Sequence, residues 1–389
     1  MLIGLVGAPN KGKSTIFSAM TSVEVQIADY AFTTIKPNIG VSYVTCRCAE
    51  TGLGVKCAPR NSTCKKGIRH IPINVIDVAG LVPGAHLGKG MGNQFLNDLI
   101  GADILIQVVD LSGKTDISGI ASEGSDPAFE VKMVRDELSE WLADIISKHM
   151  PKLSKRHDGD TALTELLSGF KVDIEEIRHA AETNSLSLSS INWTPTKIRE
   201  FAASLLTENK PIVVAANKAD KTDKNAIIEL RNRLPGTEVV ECSGAIELAL
   251  SKAAKKGTIT YESGSTNFEI VGVPSDEQGK ALTYMNSYIK DRNGTGVQQL
   301  LNSAVFKLLD EIVVYPVEDE NNYSDHSGNV LPDAILLKKG STAHDLAMRI
   351  HTDIAKGMKY AVDAKTKLRV QKEYLLKDGD VIKIASSAK

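Results

Sequence analysis

The chain has 389 residues and a formal net charge of −2; 42% of its residues are hydrophobic and 24% charged. That length exceeds one ordinary core and predicts two to three domains of a globular protein. Near-zero net charge excludes a generally basic nucleic-acid binder, though not a local patch, and the apolar run in MLIGLVGAPN is too short for a signal peptide or a membrane span, so the expectation is a cytoplasmic protein with no membrane partner.

In chain order, Leu2–Val6, Ile73–Ile76, Ile104–Val109, Ile212–Ala215 and Glu238–Glu241 are short apolar runs of the kind that form buried parallel strands. Helical patterns fall between several of them. The fold class expected is therefore α/β: a mostly parallel sheet flanked by helices, with ligands at the carboxyl ends of the strands. Between residues 114 and 209 the pattern turns helical. Glu130–Met150 sets Val134, Leu138, Trp141, Leu142 and Ile145 at helical spacing, and further helices are predicted at Val172–Ala181 and Pro195–Leu206. These apolar stripes predict a helix-on-helix core. From about Tyr315 a small α+β module is expected, with a strand at Ala334–Leu337, a helix opened by Thr342 with Asp345 three residues on, and a hairpin turning at Lys377-Asp378-Gly379-Asp380. The division expected is 1–113 with a cysteine-rich hairpin at about 44–70, a helical insertion at 114–209, a second sheet part with connecting helices at 210–312, and a C-terminal domain at 313–389.

Gly7-Ala8-Pro9-Asn10-Lys11-Gly12-Lys13-Ser14 fits G-x-x-x-x-G-K-[ST] and lies between a strand and a helix, as a phosphate-binding loop requires. Its glycines let backbone N–H groups curl around phosphate oxygens, and Asn10, Lys11, Gly12, Lys13, Ser14 and Thr15 are candidate nucleotide-binding residues. Lys13 is expected on the β- and γ-phosphates and Ser14 on Mg²⁺. Asp77-Val78-Ala79-Gly80 ends a strand, so Asp77 is a candidate for holding Mg²⁺ and the Gly80 N–H for meeting the γ-phosphate. Thr34, or Thr33 as second choice, lies where a switch loop must complete the Mg²⁺ shell. Asn217-Lys218-Ala219-Asp220 matches the guanine-reading pattern N-K-x-D. A carboxylate at Asp220 accepts from the N1–H and exocyclic amine of guanine, and adenine has no amine at that position. Lys218 is expected over the base, and Ser243-Gly244-Ala245 is expected to offer amides to guanine O6. GTP and GDP are the ligands these residues imply.

Four of the five cysteines, Cys46, Cys48, Cys57 and Cys64, fall within nineteen residues. Their spacing of one, eight and six intervening residues is not the double C-x₂-C of common zinc modules. Zinc, an iron–sulfur or redox-responsive cluster, and incidental thiols are the three readings open at this point.

Together with Tyr30-Ala31-Phe32-Thr33-Thr34, Pro37-Asn38-Ile39-Gly40, Asp77 to Ala85 and Gly88-Lys89-Gly90-Met91-Gly92-Asn93-Gln94-Phe95-Leu96, the phosphate loop resembles that of the Obg-like GTPases, in the archaeal-like form of the YchF-related subfamily. The resemblance implies a Mg²⁺-dependent GTPase, a C-terminal TGS domain of β-grasp type, and association with ribosomes or RNA; a monomer is expected. It also implies a hydrophobic residue, here Leu81, where Ras-like proteins place a water-orienting glutamine. Relatives that use ATP carry Glu in place of Asp in the base motif, whereas this chain keeps Asp220. Asn10 stands where potassium-activated GTPases resemble one another, so K⁺ held by its side-chain oxygen is one expected catalytic device, with slow, potassium-stimulated turnover. His86, six residues past Gly80, is the rival.

Overall fold

The computed structural model describes residues 1–21, 38–78, 84 and 100–387. In chain order its first elements are β1 (Leu2–Val6), α1 (Lys13–Thr21), β2 (Ile39–Arg47), α2 (Glu50–Leu53), β3 (Thr63–Lys65), β4 (Ile68–Asp77) and β5 (Ile104–Asp110). Helices α3 (Pro127–Leu153), α4 (Gly159–Leu166), α5 (Ile174–Thr183) and α6 (Pro195–Asn209) follow before β6 (Ile212–Asn217), α7 (Lys224–Arg233), β7 (Val239–Glu241) and α8 (Gly244–Lys255). The remainder holds β8 (Ile259–Thr260), β9 (Glu269–Ile270), α9 (Asp276–Asp291), α10 (Val297–Asn302), β10 (Glu311–Val317), β11 (Ile335–Lys338), α11 (Ala343–Ile350), α12 (Thr352–Lys356), β12 (Met358–Asp363), β13 (Leu368–Val370) and β14 (Val381–Ser386).

These elements form two compact units. One comprises residues 1–21, 38–40 and the described part of 74–300; the other comprises 41–73 and 301–387. The linear division read from the sequence did not anticipate this grouping, because the cysteine-rich segment joins the C-terminal unit.

In the first unit β1 is central. It pairs in parallel with β4 (Leu2↔Asn74) on one side and β5 (Ile3↔Ile104) on the other, and β6 and β7 extend the sheet beyond β5, also in parallel. Ile3, Leu5 and Val6 are fully buried, as are Ile104, Ile106 and Val108. Helices on both faces leave no solvated side, so these strands are continuous apolar runs rather than alternating ones.

The long helix α3 starts cleanly. Asp126 caps it by accepting from the Ala128 N–H, and Pro127 supplies a first-turn φ. Its apolar stripe serves two cores. Val134 and Leu138 pack with Val6, Ile76 and Leu105 at the sheet. Leu142, Ala143 and Ile146 enter a helical core with Leu163, Phe170, Ile177, Trp193 and Phe201. The helix-on-helix core read from the sequence is therefore the distal half of α3 with α4, α5 and α6.

In the second unit a five-stranded mixed sheet runs β11-β10-β14-β12-β13. Helix α11, capped by Thr342 and Asp345 in the expected box, buries Leu346 and Ala347 against Val314, Ala361 and Ile382. The expected terminal hairpin is not formed. After the turn at Gly379 (φ 80°), β14 pairs in parallel with β10 (Tyr315↔Val381) and antiparallel with β12. The turn signal is real, but the Gly379 N–H goes to the Val313 carbonyl and Asp378 accepts from the Val313 N–H, so the turn docks on β10 and opens a sheet crossover.

Two glycines of the first unit test how tightly its backbone is packed. A Cβ on Gly296, at φ 82°, would stand 1.9 Å from the Glu241 carbonyl oxygen. On Gly279, inside α9, it would meet nothing within 4 Å. Gly296→Ala is expected to destabilise by about 2 kcal/mol or more, from strain that backbone cannot relieve. Gly279→Ala is expected to stabilise by roughly 0.5–1 kcal/mol through helix propensity. Denaturant titration of both variants checks the pair, and a stable Gly296→Ala protein would contradict the packing described.

Candidate nucleotide-binding site

The loop between β1 and α1 carries three positive backbone angles in six residues: Gly7 (φ 138°), Asn10 (φ 59°) and Gly12 (φ 93°). Such alternation turns successive N–H groups to one side and makes an anion-binding concavity at the helix N-terminus. Both glycines are required by their neighbours. A Cβ on Gly7 would lie 2.4 Å from the Val108 carbonyl oxygen, and one on Gly12 would lie 2.3 Å from Asn217 Nδ2.

Lys13 folds back over this loop and donates to the Ala8 carbonyl at 2.9 Å. Burial lowers the proton affinity of its ammonium, and the Asp77 charge opposes that shift. At the end of β4, Asp77 accepts from Ser14 Oγ at 2.7 Å through Oδ2. Its Oδ1 is buried and has no hydrogen-bond partner among the described residues. A hydroxyl, a carboxylate and an unsatisfied carboxylate oxygen beside a phosphate loop fit Mg²⁺ chemically, because hard cations take oxygen ligands. Thr15 follows, half-buried, in the first turn of α1. The expectations for Thr33, Thr34, Gly80, Leu81 and His86 lie outside the described residues.

Lys11 points its side chain away from the concavity. Its side chain is fully buried, ion-paired with Glu130 of α3 and bonded to the Thr115 carbonyl at 2.6 Å. Only its backbone can meet a phosphate. The physical reason is that the loop has a wall behind it, made by residues 110–121 and the first turn of α3, and a long cation there finds a carboxylate rather than solvent. Asn10 is tied to the same wall, donating from Nδ2 to the Gly119 carbonyl at 2.8 Å. That bond orients the amide and leaves Oδ1 as its acceptor atom. The sequence held no signal for Glu130, Thr115 or Gly119, which contribute through folding alone.

The base-reading segment sits at the end of β6. Asn217 Nδ2 donates to the Lys11 carbonyl at 2.9 Å, while Oδ1 accepts from the Gly244 N–H at 3.0 Å. Lys218, at φ 63°, donates to the Asn10 carbonyl at 3.0 Å and to Asp110 at 2.9 Å. Its ammonium is thus anchored, and the methylene stem is what can lie along a base. Burial raises the proton affinity of Asp110, but hydrogen bonds from Lys218, Ser112 and Thr115 outweigh it and hold the carboxyl below its ordinary value. Asp220 accepts from Ser243 Oγ at 2.6 Å, and its backbone carbonyl accepts from Tyr284 at 3.0 Å.

The expectation for Ser243-Gly244-Ala245 needs correction. The Ser243 N–H goes to the Thr295 carbonyl and the Gly244 N–H to Asn217. Two of the three amides are thereby used inside the protein. Ala245 stands in the first turn of α8, where amides have no intrahelical partner.

In the other unit, three of the four clustered cysteines converge. Cys48, Cys57 and Cys64 come together with Glu50, their ligand atoms all within 4.8 Å of one another. Cys46 is excluded: it lies against Tyr315, and burial pushes its thiol up to about 12. The reason is local. Cys46 is still within β2, whereas Cys48 follows the strand where the chain turns into α2.

Comparison with known proteins agrees with this geometry. Residues 2–150 match the family described as 50S ribosome-binding GTPase, residues 215–319 the Obg-like GTPase YGR210-like, G4 motif-containing domain, and residues 327–386 the TGS domain. The chain is 48% identical to the uncharacterized GTP-binding protein of Methanocaldococcus jannaschii, covering all of both chains. It is 28% identical to the ribosome-binding ATPase YchF of Mycoplasma genitalium, over 97% of each. A solved GTP-binding protein of Pyrococcus horikoshii is 36% identical, with a TM-score of 0.82 over 99% of this chain and all of that one. From its phosphate loop, its base-reading motif and these matches, the chain belongs to the Obg-like, YchF-related family of P-loop GTPases with a C-terminal TGS domain.

Proposed function

We propose that this GTPase is a guanine-specific switch: it binds GTP and GDP in preference to adenine nucleotides, hydrolyses the γ-phosphate slowly, and engages the ribosome in one nucleotide state. The observation that carries the base preference is Asp220, a carboxylate held by the Ser243 hydroxyl at 2.6 Å. That bond takes one lone pair of Oδ1 and sets the plane of the carboxylate, so the guanine N1–H and amine meet an acceptor fixed beforehand. Its charge attracts two donors, whereas adenine presents a ring acceptor at the same edge and is repelled. No helix among the described residues is long and apolar enough to cross a membrane, and the proposal places the protein in the cytoplasm.

Ser14, Asp77 and Thr34 are the residues proposed to hold Mg²⁺, which when bound neutralises charge on the β- and γ-phosphate oxygens. Lys13 is proposed to reach the same oxygens. Its ammonium is already freed of most water by burial and satisfied by the Ala8 carbonyl, so the exchange of that carbonyl for a phosphate oxygen needs little reorganisation. The Gly80 N–H is proposed to meet the γ-phosphate. With Leu81 at the glutamine position, a further cation must share the transition-state charge. K⁺ at Asn10 Oδ1 fills this role, the amide being oriented by its bond to Gly119, and His86 is the alternative.

Titration with fluorescent nucleotides tests base preference. GDP is expected to bind far more tightly than ADP, and Asp220→Asn to lower GDP affinity by roughly 10³-fold while raising affinity for xanthine nucleotides. Equal affinity for ATP and GTP in the unaltered protein would remove the proposal. Single-turnover hydrolysis in matched salts tests the cation. Turnover is expected to rise by roughly tenfold or more in potassium over sodium, and Asn10→Ala to abolish the difference with GDP affinity nearly unchanged. Equal rates in the two salts, with a large loss in His86→Ala, would assign the role to the histidine.

Ribosome association is supported by the name of the Mycoplasma relative and by the description of the matched GTPase family. Co-sedimentation with purified ribosomes is expected to be stronger with a non-hydrolysable GTP analogue than with GDP. Absence of the protein from the ribosome pellet in both nucleotide states would count against this part of the reading.

A further inference from the structure

The cysteine-rich segment supplies none of the candidate nucleotide-site residues, and it gathers three thiols and a carboxylate into one small volume. Cys48 is buried at the end of β2, and its N–H is fixed by the Gly67 carbonyl at 2.8 Å. Its Sγ lies 3.9 Å from that of Cys57. Glu50 turns its carboxylate inward, where Oε1 accepts from Cys64 Sγ at 3.0 Å and Oε2 from the Cys57 N–H at 2.9 Å. Four donor atoms from three stretches of chain thus lie within 4.8 Å of one another. Around a tetrahedral Zn²⁺ with Zn–S bonds of about 2.3 Å, sulfurs stand about 3.8 Å apart. The cluster is close to that size before any adjustment.

We infer that Cys48, Cys57, Cys64 and Glu50 form a closed structural zinc site, with Cys46 outside it. The donor set itself selects the ion. Three soft thiolates exclude Mg²⁺ and Ca²⁺, and a four-donor tetrahedral site leaves no open position for catalysis. Binding releases the three thiol protons to water and leaves a complex of net charge −2. The fully buried Arg69 supplies positive charge nearby, and its field acts on both Glu50 and Cys57.

The site also has a structural task that the fold makes visible. The chain between the third and fourth zinc ligands, residues 57–64, is the stretch that adds its backbone to the C-terminal part of the same unit. Ala58 donates to the Val330 carbonyl at 2.8 Å and Arg60 to the Pro332 carbonyl at 2.7 Å. Asn61 exchanges hydrogen bonds with Ala334 in both directions, and Arg69 donates to Ser62 and to the Leu331 carbonyl. This stretch has no helix, and only its last two residues enter a strand. Zinc at both of its ends clamps it in the conformation that pairs with residues 330–334.

The experiment is elemental analysis of the full chain purified without added metal or an affinity tag. About one zinc per chain is expected in the unaltered protein and in Cys46→Ser, falling severalfold in Cys57→Ser and Cys64→Ser. Should those two variants fail to fold, cobalt exchange into the unaltered protein gives an independent readout. Tetrahedral cobalt with intense sulfur charge-transfer bands is expected, persisting in Cys46→Ser and weakened in Glu50→Ala. Removal of zinc by a chelator is expected to speed amide exchange at Ala58 and Arg60. A chain free of zinc, zinc lost in Cys46→Ser but kept in Cys57→Ser, or iron with acid-labile sulfide in its place would overturn the assignment. Unchanged exchange at Ala58 and Arg60 after zinc removal would overturn the clamping role.

Discussion

One side-chain amide joins the two halves of the nucleotide site. Asn217 gives a hydrogen to the Lys11 carbonyl in the phosphate loop and takes one from the Gly244 N–H at the start of α8. Both polar ends of the amide are used, in a buried position where an unpaired donor or acceptor costs about 1–3 kcal/mol. Phosphate-binding loop, base-reading loop and helix N-terminus are therefore held in register by a single planar amide. Gly12 must be glycine because this amide occupies the space a Cβ would need. Residues 205 positions apart in the chain are thus interdependent through packing.

A second layer of charge supports that register. Lys11 and Glu130 pair in full burial, and Lys218 bridges Asp110 to the Asn10 carbonyl. Buried pairs of this kind add little net stability over an apolar core, because desolvation offsets most of the attraction. Their effect is on specificity of arrangement, since removing one partner strands the other charge. The phosphate loop is thereby fixed from behind by α3 and from the side by Lys218. Preorganisation of this kind lets electrostatic stabilisation act without reorganising the loop at each turnover.

The second unit shows a different way of ordering irregular chain. Its sheet and α11 form an apolar core, but residues 48–64 contribute little to that core. What orders them is polar: backbone bonds to Val330 and Pro332, the buried Arg69 guanidinium stacked 5.5 Å over the Tyr315 ring, and the thiol–carboxylate cluster. Segments that bury few apolar side chains need such cross-links to offset the entropy of ordering. The cysteine-rich segment and the C-terminal module are one folding unit for this reason, although some 230 residues separate them.

The sequence by itself determined the parts whose physics is local or periodic. Strand β1 runs over Leu2–Val6 as read, since an apolar run that meets a glycine turn has few alternatives. The capping box at Thr342 and the apolar stripe of α3 were legible because caps and 3.6-residue spacing are short-range signals. The phosphate and base motifs were legible because phosphate and guanine impose residue types at fixed spacing. Tertiary structure alone decided what each side chain meets. Lys11 lies inside the motif but turns to Glu130, 119 positions away. Gly244 and Ser243 give their amides to Asn217 and Thr295. Glu50 takes the place that cysteine spacing had offered to Cys46, because one residue past the end of a strand changes where a side chain points. Gly379 marks a turn correctly, yet which strand follows it into which neighbour depends on where β10 lies. In each case the deciding partner is remote in the chain, and remote contacts are set by burial and hydrogen-bond completion across the whole core, which no local pattern encodes.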